Sequence, residues 1–410
     1  MFCSAHHPAI NAVVLLLQEA VAECGVMPYD EASGTGELRY IQAVVVDSSL
    51  VDAASGKAAQ AETDLAVESS GSSNRVSKSS CAAGCSVQLT LVWNAAMTDA
   101  AEGTQGGARL EALAARLWQL GGVQQQQAAA GLQQADSQQQ QGKSGQGARA
   151  PPLLHSLWAN FQPARSNAIL GPEWWLLRGD EEAWARLGGV DICFGPGSFM
   201  QANPGAMNSA LAAMQAHVPA GCTIADLHAG VGTIGLSLAA TRSPRWVRFV
   251  EINGQGLPPF QRSAARLPRR LQDSAAIQGA QAGSSSSGAG EASSSSGGCL
   301  VELEYHVAAA GSDPKRWCNS AEVVVLDPPR KGLEPALLDW LCSTGASAAG
   351  VRRLVYLSCG FPALRRDCAA LLASGHWRLA HAEAFLFFPG ADHVETLCVF
   401  DAAPGKATSS

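Results

Sequence analysis

Cys359 closes an apolar run in "LVYLSCGFPALRRD" (354–367), with Gly360 behind it and Arg365, Arg366 and Asp367 soon after. A thiolate is a strong nucleophile, but a cysteine among apolar residues is more often inert filler. Cys359 therefore needs companions before it implies a reaction. Three carboxylates end comparable runs. Asp226 precedes the glycine turn of "DLHAGVGTIG" (226–235), where Gly230 and Gly232 let the backbone approach a ligand and the following helix presents unpaired N–H groups. Glu251 follows about 20 residues later, a position from which an acid can accept both hydroxyls of a ribose. A glycine turn with such an acid fits a dinucleotide or S-adenosylmethionine, and these residues leave both open beside a plain strand-to-helix connection. Asp327 opens "DPPR" (327–330), whose two prolines fix the backbone and lack N–H groups, so that the acid and Arg330 point in defined directions. The same four residues also suit a rigid strand-end turn with a solvated arginine.

Such groups need a scaffold that gathers strand ends. "CTIADLHAGVGTIGLSLAAT" (222–241) reads as strand, tight turn and helix, and "RWVRFVEIN" (245–253) as a strand ending on an acid. "AEVVVLDPPRKG" (321–332) and "RRLVYLSCG" (353–360) read as two more strands, with helices over 334–342 and 362–373. Short apolar strands alternating with helices imply an α/β fold, a doubly wound, mainly parallel, Rossmann-like sheet. Ligands bind such sheets at the carboxyl ends of the strands, where Asp226, Glu251, Asp327 and Cys359 all fall. Upstream, "ELRYIQAVVVD" (37–47) and "CSVQLTLVWN" (85–94) predict strands, and 105–120 predicts an amphipathic helix. Trp158, Phe161, Trp174 and Trp175 are core anchors in the commoner use of aromatics, or platforms for stacked bases in the other.

The 410 residues suffice for a smaller α+β domain over 1–190, a candidate for RNA contact, then a doubly wound domain over 191–403 and a tail over 404–410. Low-complexity stretches near 52–80, 124–150 and 274–298 bury too little apolar surface to offset ordering entropy, and predict disordered insertions in surface loops. The 12 cysteines are scattered without a C-x-x-C pair, Cys81 and Cys85 coming nearest to a cluster. Free thiols in a reducing compartment are therefore expected, with no metal and no iron–sulfur cluster. Lys and Arg total 28 against 35 Asp and Glu, so any nucleic-acid contact must come from local basic patches. No apolar run reaches the roughly 18 residues of a membrane span, and no membrane partner is expected. The N-terminus has neither a basic n-region nor an A-x-A-type cleavage site, and reads as the interior of a domain. An intracellular location follows, with a chloroplast or other organelle left open.

Six motifs carry a more specific message: "SFMQANPGAMNSAL" (198–211), "ADLHAGVGTIGLSLA" (225–239), "VEIN" (250–253), "LDPPRKGL" (326–333), "VYLSCGFPALRRD" (355–367) and "FFPGADHVETL" (387–397). In this order and spacing, over about half of the chain, they resemble the RNA 5-methyluridine (uracil-C5) methyltransferase family, which is class I and dependent on S-adenosyl-L-methionine. The resemblance implies that Cys359 is the nucleophile adding to uracil C6 and that Glu395 removes the C5 proton. It places Gln201, His228, Gly230, Gly232, Glu251 and Asp327 at the cofactor, with Gln201 alternatively on the target base and Asp327 also orienting the pyrimidine. Phe199 and Arg330 become substrate contacts and Phe388 a further pocket residue, although both phenylalanines equally suit a core. By pattern alone "HVETLCVF" (393–400) is an edge strand carrying a solvated acid, and only its place among the motifs assigns Glu395 to catalysis. The implied partner is a structured RNA, tRNA or rRNA, whose uridine is flipped out of its stack. The implied state is a monomer.

The chain also departs from the family pattern, which suggests a divergent plant- or algal-like branch. Gly360-Phe361 stand where Asn-Pro is common, Leu386 and Ala391 replace an aspartate and a threonine around the Phe-Pro pair, and His228 occupies an aromatic position. The alanines of "YHVAAAGSD" (305–313) stand where an acid near 307–310 would bind the adenine amine, Asp313 being the nearest acid. A small RNA-binding β-barrel and a cysteine-rich cluster, which precede the central domain in many relatives, are expected to be missing. Two other functions remain open: a catalytically decayed RNA-binding protein of the same fold, and a Rossmann methyltransferase for a protein or small molecule, which would leave Cys359 and Glu395 idle.

Overall fold

The computed structural model describes residues 6–51, 84–100, 103–136, 152–166, 168–267 and 301–403, with backbone alone for 51 and 122–136. The expected insertions near 52–80 and 274–298, the stretch 137–150, the tail over 404–410 and Cys81 lie outside these residues. Two compact units make up the chain, Met1–Ala185 and Arg186–Ser410, the division falling just ahead of residue 190.

The first unit is built on helix α1 (Pro8–Cys24), strands β1 (Leu38–Asp47) and β2 (Cys85–Trp93), helix α2 (Gln105–Asp136), and strands β3 (Leu154–Phe161) and β4 (Glu173–Gly179). Proline at the start of α1 and left-handed Gly25 (φ 63°) after its end fit the asymmetry of helix termini. The sheet order is β1-β2-β3-β4, antiparallel except for β2 and β3. Parallel neighbours need a long crossover, and α2 supplies it. Val13, Leu16 and Leu17 of α1 and Leu110, Leu113 and Leu117 of α2 share one core with Val87, Leu89, Leu91, Leu157 and Phe161 of the sheet. Within the expected insertion near 124–150, the backbone of α2 runs on as helix to Asp136. Alanine, glutamine and leucine are good helix formers and let α2 run on. Trp158 and Phe161 are buried, Trp174 is partly buried, and Trp175 is exposed.

In the second unit a hairpin of β5 (Ala183–Leu187) and β6 (Val190–Phe194) precedes α3 (Pro204–His217), β7 (Thr223–Leu227), α4 (Thr233–Arg242), β8 (Trp246–Glu251), α5 (Leu257–Ala265) and β9 (Glu302–Val307). Strand β10 (Val323–Leu326), α6 (Pro335–Leu341), β11 (Arg353–Ser358), α7 (Phe361–Ala373), β12 (Trp377–Phe385) and β13 (Glu395–Ala402) complete it. The sheet runs β9-β8-β7-β10-β11-β13-β12. Strands β7 to β11 are mutually parallel and β13 runs against both its neighbours. The chain builds outward from β7 through β8 to β9, then returns to lay β10 on the other side of β7. That reversal opens a crevice at the carboxyl ends of β7 and β10. All four residues of β10 are buried, as a strand covered on both faces requires. The edge-strand reading of "HVETLCVF" is corrected: β13 lies between β11 and β12, with Leu397, Cys398, Val399 and Phe400 all buried. No helix among the described residues is long and apolar enough to cross a membrane.

Candidate active site

Register decides which side chains meet. Leu227, Leu326 and Tyr356 align across β7, β10 and β11, so the segments holding His228, Asp327 and Cys359 leave the sheet at one edge. Strand β13 arrives at that edge from the opposite direction. Ser358 pairs with Thr396, and one further step along the two strands sets Cys359 beside Glu395. Glu395 is 5% exposed, whereas Cys359 is half-buried.

These groups perturb one another. Burial pushes the Cys359 thiol up, Glu395 and Asp327 add to this, and Arg330 opposes it. Burial likewise raises the Glu395 carboxyl, against Arg330. Asp327 is pushed up to about 8 by burial and by the neighbouring Glu395 and Asp226. Asp327 is thereby suited to exchanging a proton near neutral pH, beside a thiol and a second carboxyl that also hold their protons more tightly than usual.

The turns that carry them are in contact. A Cβ on Gly360 would overlap the Arg330 carbonyl, so glycine after the cysteine lets the Asp327–Arg330 turn close against it. Asp367, fully buried on α7, accepts from the Leu333 N–H at 2.9 Å, the Tyr356 hydroxyl at 2.8 Å and the Arg366 guanidinium at 2.8 Å. It thereby ties the segment after Arg330 to β11. Gly332, at φ 84°, leaves the room that this carboxylate fills.

The glycine loop forms the other half of the crevice. Gly230 (φ 57°) donates its N–H to Glu251 Oε2 at 2.9 Å and accepts from the Tyr305 hydroxyl at 2.7 Å. Asn253 N–H reaches the other Glu251 oxygen at 2.7 Å. A Cβ on Gly230 would meet no atom within 4 Å, so its outer face is open, whereas Gly232 packs against Phe260. Asp226 accepts the Gly235 N–H at 2.8 Å through Oδ2, while its buried Oδ1 has no partner. Burial raises that carboxyl to about 7, against the Gly235 hydrogen bond and with a smaller push from Glu251. His228 holds a left-handed backbone (φ 64°), with Nε2 2.9 Å from Glu334 Oε2 and a buried Nδ1 that lacks a partner. Open space over the loop and orphaned polar atoms beneath it fit a nucleoside-bearing cofactor.

The remaining expected residues lie ahead of α3 or near β13. Gln201 is partly buried in the segment leading to Asn203, which caps α3 by accepting from Ala206 N–H at 3.0 Å. Phe199 is 80% exposed and is not a core residue, whereas Phe387 is buried and Phe388 only partly covered. Arg330 is exposed. Cys359, Glu395, Asp327 and Arg330 thus form one interacting group and Glu251 with Gly230 another; no hydrogen bond or ion pair among the described residues ties Gln201 or Phe199 to either. Nothing in the local sequence singles out Glu334 or Tyr305, and Asp367 stands out only as the acid of "LRRD" on the buried face of α7. No group of three or more His, Cys, Asp or Glu among the described residues is placed to hold a metal ion.

No family model matches the chain. An uncharacterized RNA methyltransferase of Protochlamydia amoebophila is 25% identical over 400 residues, which cover 98% of this chain and 77% of that protein. The fold is shared with the Pyrococcus abyssi tRNA (uracil-54, C5)-methyltransferase in complex with S-adenosyl-L-homocysteine, at TM-score 0.52 and 18% identity, over 95% of this chain and 66% of that one. The chain is thus similar to RNA methyltransferases in sequence and shares the fold of a tRNA (uracil-54, C5)-methyltransferase. An uncharacterized RNA methyltransferase of Treponema denticola is 30% identical over 221 residues, spanning 52% of this chain and 47% of that protein.

Proposed function

We propose that this protein is an S-adenosyl-L-methionine-dependent RNA methyltransferase that forms 5-methyluridine in a structured RNA, tRNA or rRNA. The observation that carries this reading is the β11–β13 register, which sets a half-buried thiol beside a buried carboxylate at the edge where Asp327 and the glycine loop emerge. S-Adenosyl-L-methionine, held by the glycine loop and Glu251, supplies an electrophilic methyl group on sulfonium. Cys359, reached by solvent, gives its proton to water, assisted by the positive charge of Arg330, and the thiolate sulfur bonds to uracil C6. The C5–C6 π electrons move onto the C4 carbonyl oxygen, which makes C5 nucleophilic. Once C5 carries the methyl group, Glu395 takes the C5 proton, the C5–C6 double bond re-forms, and the Cys359 thiolate leaves. A carboxylate with a raised pKa suits that proton transfer. Phe199 and Arg330, both exposed, are the residues assigned in this reading to the flipped base and its backbone.

The test is incubation with 5-fluorouridine-substituted RNA and S-adenosyl-L-methionine, followed by a denaturing gel. Fluorine at C5 cannot leave as a proton, so wild type should form an adduct that survives denaturation and Cys359→Ala should form none. RNA binding without any adduct would instead favour the decayed RNA-binding protein.

A further inference from the structure

Two carboxylates grip the glycine loop. Glu251 takes the Gly230 N–H, and Glu334 holds His228 at 2.9 Å. Glu334 immediately precedes α6, and a Cβ on Gly311 would stand 2.8 Å from its own Cβ. It therefore lies between the glycine loop and the turn that leaves β9. Its bonds to His228 and to its own N–H use about two of a carboxylate's four acceptor positions. The pair with His228 keeps it below the usual carboxylate range and thus ionised.

The surroundings suit a purine. Ile252 is 71% exposed and Val307 51% exposed, two uncovered aliphatic groups just past Glu251 and at the end of β9. A Cβ on Gly254 would stand 3.5 Å from Val307 Cγ1, an ordinary contact. The buried, unpartnered Nδ1 of His228 and Oδ1 of Asp226 mark polar groups here that the protein alone does not satisfy. Asp313, the nearest acid in sequence to the alanine stretch, is already engaged in capping the 314–317 turn, accepting from Arg316 N–H at 3.1 Å.

We propose that Glu334, positioned by His228, accepts the exocyclic amine of the cofactor's adenine while Ile252 and Val307 cover the ring. The assignment rests on the S-adenosyl-L-methionine reading above. It makes the base edge a point of selection, because a C6 carbonyl would bring one acceptor against another.

Calorimetric titration with S-adenosyl-L-homocysteine and with its deaminated analogue S-inosyl-L-homocysteine tests this. Wild type should prefer the adenine ligand by about tenfold or more. In Glu334→Gln the affinity for S-adenosyl-L-homocysteine should fall about tenfold and the preference should shrink toward parity, since an amide can turn its donor to the carbonyl. The preference is a ratio measured within one protein, so partial destabilisation does not distort it. Should Glu334→Gln not fold, Glu334→Asp draws the carboxylate back by one methylene and should likewise weaken the preference. An undiminished preference in the variant overturns the role of Glu334 alone. Failure of wild type to bind S-adenosyl-L-homocysteine overturns the cofactor reading and this assignment with it.

Discussion

At the scale of single residues, the site is governed by groups whose protons are held more tightly than usual. Alkylation of Cys359 by iodoacetamide, followed by peptide mass spectrometry, should show a thiolate titrating above the ordinary cysteine range. Arg330→Ala should move that titration higher still, because the guanidinium is the charge that favours thiolate; a downward move would refute the role given to it. Glu395→Gln should retain addition to C6 but stall before elimination, so that covalent protein–RNA complexes accumulate with ordinary uridine and turnover falls about a hundredfold or more. Asp226 connects the site to stability. Its folded pKa of about 7 lies above the usual carboxylate value, so the folded state keeps a proton that the unfolded state gives up from about pH 4. The contribution is therefore complete at low pH and is lost as pH rises through 7. Asp226→Asn should flatten this dependence in urea unfolding compared at about pH 5 and pH 8.

At the scale of elements, activity depends on two turns being held face to face. Gly360→Ala would drive a methyl group into the Arg330 carbonyl and part the Asp327–Arg330 turn from the thiol. Turnover should drop by about a hundredfold while S-adenosyl-L-homocysteine affinity stays close to wild type, since displacement of the reacting groups by about 1 Å is that costly. The Asp367 clamp works from behind. Asp367→Ala strands the Tyr356 hydroxyl and the Leu333 N–H and should cost about 3 kcal/mol in denaturant unfolding. An unchanged unfolding midpoint would mean that the two turns are held by other contacts.

At the scale of the molecule, each unit has its own core, and every residue assigned to cofactor or chemistry lies in the second. A fragment from Glu181 onward, which keeps β5, should bind S-adenosyl-L-homocysteine within about threefold of the full chain, as expected of a self-contained domain. RNA affinity should fall in the fragment if the first unit contributes the contacts proposed for it, and an undiminished affinity would assign RNA binding to the second unit alone.

Much of this protein can be read along the chain because local rules set it. Apolar runs closing on Asp226, Glu251, Asp327 and Cys359 reveal strands and their ligand-facing ends, and glycine turns reveal where backbone must bend left-handed. Expectation failed where contact partners are distant in sequence. Burial of Glu395 within an interior strand depends on β13 inserting between β11 and β12, which no periodicity encodes, since a half-buried edge and a buried antiparallel strand share similar apolar runs. The chain by itself determined the sheet, the strand ends and the order of the motifs, each a matter of neighbouring residues. Tertiary structure alone decided that Glu334 should meet His228, that Asp367 should hold Leu333 and Tyr356, and that Gly360 should lie under Arg330. Those meetings follow from register and close packing, which only the assembled sheet imposes.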